Sequence, residues 1–401
     1  MRFLLFALVA ACGGSSGSLS AVSTIPVHTT SQAPATDLAQ AKPASHAAKP
    51  GEVEAARLAS QRDPRVTDLD IIRITATTKG VGGDVTAEHV ATADLFKQAN
   101  DAAKAKETER AISLYRRIVA DFSESKYAPI SLFNIAALLD GRGDYPATLQ
   151  ALRDLVKAYP DARESIDGHL YISALQSSHE EWTAALASLD DIIKRPNLTY
   201  QDRVEVFARR GYILMQTHRW PEAELALDTA VAEWRKTPHI EDPYYIAMAT
   251  YYRGELAHQK FIEAPVRLPD DVLITDLEQK RVLAVQAYDK WKESLGFHQA
   301  YWATASGYQM SQVFVELWEI TVKAPFPTRI NSATREQYVT EVHDRVREHL
   351  SKALEGHRMN VELAKAYGVQ TSWSKGSAAQ AARIVDLLAK DSGGSYVMPT
   401  N

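Results

Sequence analysis

The chain has 401 residues, 45% apolar and 24% charged, with 45 Lys and Arg against 50 Asp and Glu, a net charge of −5 and a single cysteine. That length can bury a sizeable core without covalent staples, and the charge balance argues against a broad basic face for nucleic acid. One cysteine excludes an intramolecular disulfide framework, a multi-cysteine zinc site and a cysteine-held iron–sulfur cluster, and no apolar run reaches the roughly 18 residues of a transmembrane helix.

Residues 1–12 read Met-Arg-Phe-Leu-Leu-Phe-Ala-Leu-Val-Ala-Ala-Cys. One positive charge leads into an apolar run from Phe3 to Val9, then two small residues, which is the layout of a secretory signal. The tetrapeptide Val9-Ala10-Ala11-Cys12, followed by Gly13-Gly14-Ser15-Ser16-Gly17-Ser18, resembles the lipobox and leader of bacterial lipoproteins. The resemblance implies that residues 1–11 are removed and that Cys12 is lipidated as the mature N-terminus. A multiply acylated cysteine anchors stably, whereas a single acyl chain binds membranes only marginally. Gly13 in place of aspartate implies, by the same resemblance, the outer membrane.

Residues 13–50 hold 26 Gly, Ala, Ser, Thr or Pro among 38 positions, with three charges and no aromatic. Such a segment cannot bury enough apolar surface to offset its ordering entropy. A disordered tether is expected over 12–85, with an r.m.s. span of roughly 35 Å for its first 38 residues. Within it, 51–61 can form a short helix, and Ile71, Ile72, Ile74 and Thr75 suggest a brief extended segment. Gly80-Val81-Gly82-Gly83 then reads as a turn, and the ordered body is expected from about Thr86.

From Thr92 onward apolar residues recur at i, i+3, i+4 and i+7, the helical period. The pattern also repeats. Leu95, Leu132, His169 and Phe207 occupy equivalent positions separated by 37, 37 and 38 residues. The first pair of helices carries Leu95, Ala111 and Tyr115; the second carries Leu132, Ala136, Tyr145 and Leu152 and closes on Pro160. The third has Ser173, Trp182, Ala185 and Leu189; the fourth has Phe207, Gly211, Trp220 and Ala223. This resembles the tetratricopeptide repeat, with its large residue, small residue four positions on, turn aromatic, following alanine and terminal proline. The resemblance implies an all-α solenoid in which small residues let paired helices approach and large ones fill the grooves between them. The fourth repeat fits best, while Thr148 and His169 depart from the pattern. Repeats one to four are assigned to 86–238.

Beyond 239 the units lengthen. A fifth first-helix is expected over about Tyr244–Lys260, where Arg253-Gly254 echoes Arg210-Gly211. An insertion at 263–271 precedes a helix with Ala284, Tyr288 and Trp291, and Gly307-Tyr308 marks a sixth pair. After the break at 324–327, Thr334-Arg-Glu-Gln337 offers a capping-box helix start, with that helix ending near Glu355. A further helix over His357–Tyr367 and a terminal one over Ser377–Lys390, with Ala381, Ile384, Val385 and Leu388 on one face, would cap the stack to about residue 391. Residues 392–401 read as a disordered tail.

Chemistry-bearing motifs are sparse, and neither a catalytic constellation, a cofactor site nor a metal site is expected. Ser372-Trp-Ser-Lys375 matches S-x-x-K but has no S-D-N or K-T-G companion, and Gly80–Gly83 completes neither phosphate-loop nor dinucleotide fingerprints. The twelve histidines lack H-E-x-x-H spacing; His343, His349 and His357 read as core or solvated positions. Asp190-Asp191 and Asp270-Asp271 read as solvated faces, and Phe297, Tyr301, Trp302, Tyr308, Phe314 and Trp318 as inter-helix core. The expected function is a non-enzymatic scaffold of the bacterial cell envelope. It would bind other envelope proteins on a concave repeat face, touch the membrane through lipid on Cys12, and contact no nucleic acid. The alternatives are an enzyme acting on cell wall or peptides, and a cytoplasmic repeat adaptor with an accidental lipobox match.

Overall fold

In the computed structural model the described residues are 72–78, 85–236, 242–392 and 394–396. The signal (1–11), Cys12, the tether to residue 71 and the last five residues lie outside them, as does Gly80–Gly83. The described part is an α-solenoid of consecutive helix pairs preceded by one two-stranded ribbon. It divides into two compact units, with the boundary between Val206 and Phe207.

The first unit opens with β1 (Ile72–Thr78) and β2 (Val85–Ala91), antiparallel with Ile72 opposite Ala91 and Thr78 opposite Val85. The extended segment expected near Ile71–Thr75 is therefore present within the expected tether, most of which lies outside the described residues. It has a partner strand, and β2 runs directly into the first helix. Pairing supplies the backbone hydrogen bonds that an isolated strand would lack.

Then follow α1 (Thr92–Lys104) with α2 (Thr108–Asp121), α3 (Tyr127–Asp140) with α4 (Tyr145–Ala158), and α5 (Arg163–Ser178) with α6 (Trp182–Ile193). The first helices of the second and third pairs are buried nearly all round. In α3 that includes Ala128, Ile130, Ser131, Leu132, Ile135, Ala136 and Leu139. Each such helix packs against its own partner, against the preceding second helix and against neighbouring first helices, as α1–α3 and α3–α5 do. Second helices are amphipathic. In α4, Leu149, Leu152 and Leu155 are buried while Gln150, Arg153, Asp154 and Lys157 face solvent. Each fully buried leucine or isoleucine contributes about 1.5–3 kcal/mol.

The turn inside each pair is the same backbone device four times. Lys106, Gly143, Glu180 and His218 all have positive φ, between 56° and 76°, at intervals of 37, 37 and 38 residues. At each, the following amide bonds back to the helix: Glu107 N to Ala102 O (2.9 Å), Asp144 N to Leu139 O (3.1 Å), Glu181 N to Gln176 O (2.8 Å) and Arg219 N to Leu214 O (2.9 Å). The residue with positive φ bonds three back in every case, which completes a Schellman stop. Only one of the four is glycine, so three turns hold side chains in the left-handed region at a cost of about 1 kcal/mol each.

α7 (Tyr200–Gln216) crosses the unit boundary. The second unit continues with α8 (Trp220–Lys236), α9 (Tyr244–Glu263), α10 (Asp270–Leu295), α11 (Ala300–Val322), α12 (Arg335–Ala366) and α13 (Ser372–Ser392). Its longer hairpins, α9–α10 and α11–α12, are closed by α13, which packs on both α12 and α11.

Several boundaries differ from the sequence expectation. α12 is one helix of 32 residues, with no break at residue 356. Gly356 is a packing glycine, since a Cβ there would lie 2.4 Å from the Ser311 hydroxyl on α11. Thr334 does not cap α12; Asn331 Oδ1 accepts from the amides of Ala333 (3.0 Å) and Thr334 (3.2 Å) instead. α13 starts at Ser372 rather than Ser377, because Thr371 and Ser374 cap reciprocally, each hydroxyl accepting from the other's amide at 3.1 Å. Ile384 is buried on its packed face, but Val385 is 44% exposed. The tail is ordered further than expected: Ser395 N bonds to Lys390 O at 3.0 Å, and the Tyr396 ring lies 4.6 Å from that of His343.

Candidate functional site

The residues assigned to repeat packing fall into three groups. Leu95, Ala111, Leu132, Ala136, Ala185 and Ala223 are buried at 9% exposure or less. Gly211 is buried too, and a Cβ on it would stand 2.4 Å from Leu227 Cδ2 across the α7–α8 interface. The small positions of the first three pairs, Ala99, Ala136 and Ser173, are fully buried, and Ser173 donates to the Ala185 carbonyl at 3.0 Å. Phe207 and the turn aromatics Tyr145, Trp182 and Trp220 are only half-buried. Tyr145 stacks on His179 with ring centres 3.8 Å apart. Pro160 is exposed; it ends the hairpin, and its carbonyl accepts from Arg195 Nη1 at 2.5 Å.

His169, the residue that departs from the repeat pattern, has a local cause. Arg195 reaches from the end of α6 to Pro160 O, to the Ser165 hydroxyl at 3.2 Å and to His169 Nε2 at 3.1 Å. Burial, with the Arg195 charge added, pulls the His169 imidazole down to about 4. It is neutral near pH 7 and accepts from the guanidinium.

Among the half-exposed residues of the first helices, some share one face. On α3 these are Phe133, Ala137 and Asp140, spaced 4 and 3 apart, with Leu138 half-exposed beside them; on α5 they are Arg163, Asp167 and Tyr171, spaced 4 and 4, with Glu164 and Ser177 half-exposed elsewhere. Such spacings put each set on one face of its helix. The stripes are joined: the Tyr171 hydroxyl donates to Asp140 Oδ2 at 2.7 Å, and the Phe133 and Tyr171 rings sit 5.9 Å apart. One pair further on, Arg163 reaches Asp167 Oδ1 at 3.0 Å and both oxygens of Asp202, with 2.6 Å to Oδ1. Asp202 also caps α7, accepting from the Thr199 amide at 2.9 Å and hydroxyl at 2.7 Å. Burial alone would raise the Asp202 carboxyl, but Arg163 and Thr199 outweigh it and hold it below the usual range.

The second unit repeats this seam between first helices. Arg209 on α7 donates to the Tyr245 hydroxyl of α9 at 2.6 Å and lies over its ring. Between α9 and α11, Glu255 Oε1 accepts from Gln309 Nε2 at 3.0 Å, and His258 Nε2 meets Glu316 Oε2 at 2.6 Å. Trp291 of α10, fully buried against Gly254, donates from Nε1 to Glu255 at 3.1 Å. Each unit therefore carries a half-buried polar and aromatic seam along adjacent first helices. Such a seam presents carboxylate, guanidinium, amide and ring edges at fixed spacing along the first helices.

The other sequence candidates resolve into structural roles. Ser374 spends its hydroxyl on the α13 cap, while Ser372 and Lys375 are exposed on its first turn. His343 and His357 are core residues at 1% and 0% exposure; His343 Nδ1 meets Asp391, and His357 Nδ1 lies 3.3 Å from the Ser377 hydroxyl. His349 is half-buried, its imidazole lowered by burial. Asp270 corrects the solvated-face expectation. It is 8% exposed and ties the two insertions together, accepting from the Thr328 amide (2.6 Å) and hydroxyl (2.8 Å) and from Arg329 Nε (2.7 Å). Asp191 is exposed, as expected. Trp302 and Trp318 are core residues, whereas Phe297, Tyr301, Tyr308 and Phe314 are half-buried. Among the described residues no group of three or more His, Cys, Asp and Glu is placed to hold a metal ion.

Comparison with known proteins bears on the same region. Residues 83–241 match the model of the tetratricopeptide repeat-like domain family. Two solved structures are similar. A tetratricopeptide repeat protein from Parabacteroides merdae shares 11% identity at a TM-score of 0.34, covering 73% of this chain and 98% of its own. The C-terminal part of a TPR repeat-containing protein from Cytophaga hutchinsonii shares 10% at a TM-score of 0.39, covering 74% and 98%. No curated protein matches the chain.

Proposed function

We propose that this chain is a lipid-anchored scaffold of the bacterial cell envelope that holds partner proteins along the seam of its first helices. The observation that carries the binding role is the seam itself. Successive first helices in each unit present half-buried polar and aromatic groups, fixed by Tyr171–Asp140 and Arg163–Asp202 in one unit and by Gln309–Glu255 and His258–Glu316 in the other. Side chains already held in place lose little freedom on binding, which favours affinity for an extended segment. The anchoring role rests on Val9-Ala10-Ala11-Cys12 and the Gly/Ser run after it. On this reading the body faces the periplasm at the end of a tether, where it would recruit partners for assembly, pilus or secretin, or motility complexes.

The test of anchoring is Cys12→Ser, compared with inhibition of the lipoprotein signal peptidase. Cys12→Ser is expected to leave an uncleaved form that no longer incorporates labelled palmitate, and peptidase inhibition to leave an uncleaved, larger form that is still labelled. Unchanged size, labelling and membrane fractionation would reject it. The enzyme alternative makes a different prediction: turnover of muropeptides or peptides by the purified protein, abolished by Ser372→Ala. The scaffold reading expects no turnover by either form.

A further inference from the structure

Where α9 meets α11 in the second unit, one imidazole sits between two carboxylates in a largely desolvated setting. His258 Nε2 lies 2.6 Å from Glu316 Oε2, and the two side chains are only 17% and 21% exposed. One turn earlier on α9, Glu255 spends Oε1 on Trp291 Nε1 and Gln309 Nε2. Aromatic rings fix the imidazole: Phe261 stacks on it with centres 5.6 Å apart, and Trp291 lies at 5.4 Å. The charged groups facing His258 are Glu255 on its own helix, Lys280 on α10 and Glu316 on α11. Lys280 is 4% exposed and donates to the carbonyls of Phe261 and Ile262, which fixes it to the end of α9. These groups form one polar connection between the α9–α10 and α11–α12 hairpins; Asp270 with Thr328 and Arg329 forms another, at the start of α10.

We propose that His258, held between Glu255 and Glu316, is a protonation-operated latch that fastens the α9–α10 hairpin to the α11–α12 hairpin. Protonated, it donates a charge-assisted bond to Glu316 and offsets the field at Glu255. Neutral, it leaves Glu316 without its charge-assisted donor and Glu255 without an offsetting charge in a desolvated seam, with Lys280 the cation beside it. Burial alone would lower the His258 imidazole, but Glu316 and Glu255 together outweigh burial and raise it. Burial raises the Glu255 carboxyl. Both shifts act in one direction. A raised histidine adds stability that is complete below about 6.5, its unfolded value, and is lost as pH rises through its folded value. A raised, buried glutamate is neutral in the folded protein at low pH and costs stability as pH climbs above its unfolded value. The seam is therefore tightest in mildly acid solution and loosens toward alkaline pH. Because this seam is also part of the surface proposed above for partner binding, grip on a partner by the second unit would follow pH. The latch itself does not depend on that reading.

Two other histidines of the unit, His349 and His357, are lowered by burial and push global stability the opposite way. The test is therefore local. Hydrogen exchange of α9 and α11 amides in the full-length chain, corrected for intrinsic rates, is expected to lose protection about fivefold to tenfold between pH 5.5 and pH 8. His258→Gln, which keeps a neutral donor at the site, should show no such loss, and Glu316→Gln should move the NMR titration of the His258 ring to lower pH. pH-independent protection in the unmodified chain would overturn the latch. So would a pH dependence that survives His258→Gln, or a His258 titration unmoved by Glu316→Gln. If the latch holds while no partner crosslinks to the seam, only the binding role falls.

Discussion

Gly254→Ala is the most demanding local test of how these hairpins pack. In an exposed helix interior the change would stabilise by about 0.5–1 kcal/mol, because alanine loses less backbone freedom. Here the new Cβ would lie 2.4 Å from Trp291 Cδ1 and Nε1 and 2.9 Å from Cγ. Trp291 cannot swing aside cheaply, since it is fully buried and its indole N–H is committed to Glu255 at 3.1 Å. Overpacking of this kind costs about 1–3 kcal/mol, and a displaced indole N–H without its acceptor costs about 1–2 kcal/mol more. The expected net loss is about 2–3 kcal/mol in the second unit. Gly211→Ala meets Leu227, a flexible side chain, and should lose about 1 kcal/mol. The assay is urea unfolding of the full chain followed by tryptophan fluorescence, with Gly254→Ala/Trp291→Leu as the fourth corner of a double-mutant cycle. The smaller leucine should make the alanine nearly neutral, a coupling of at least about 1 kcal/mol. Stability equal to the parent in Gly254→Ala, or no coupling in the cycle, would refute the packing argument.

The repeated left-handed turn predicts that Lys106→Gly, Glu180→Gly and His218→Gly each raise stability by roughly 0.5–1 kcal/mol, whereas Gly143→Ala lowers it by about 1 kcal/mol; thermal melts that show the reverse order would contradict the turn assignment. Asp202→Ala removes an α7 cap and strands Arg163, so the first unit should lose about 2–4 kcal/mol in chemical denaturation, and Asp202→Asn distinctly less if the cap matters more than the charge. His169, lowered to about 4 by burial and Arg195, should make the first unit lose on the order of 2 kcal/mol as pH falls from about 6.5 toward 4, because the unfolded chain takes up the proton first. His169→Gln should flatten that limb, and a limb of unchanged depth would place the effect elsewhere.

Much of the architecture was legible in the sequence, because helix pairs that stack on one another must reuse their contacts. The 37-residue interval of Leu95, Leu132, His169 and Phe207 is also the interval of the positive-φ turns. The turns themselves were not legible, since Lys, Gly, Glu and His share a backbone shape but no chemistry. His169 read as a departure because its partner, Arg195, lies 26 residues away, beyond any local pattern. Thr199-Tyr-Gln-Asp202 is a capping signal that the chain does display, and it would have located both the start of α7 and the carboxylate that holds Arg163. Gly356 suggested a helix end, yet its role is to admit Ser311 from another helix. The seams were hidden for the same reason: Tyr171–Asp140 and His258–Glu316 join residues 31 and 58 apart. Their shared faces stand out only once the partners across neighbouring helices are known.

The central claim is that partners are held on the first helices of a lipid-anchored chain. Photo-crosslinking in living cells, from a reactive residue at Ala137 on the α3 stripe and from one at Arg153 on the exposed face of α4, tests it most directly. The account predicts a discrete crosslinked protein from position 137, little or none from 153, and loss of that product in Cys12→Ser. Equal crosslinking from both positions, or a product indifferent to Cys12, would contradict it.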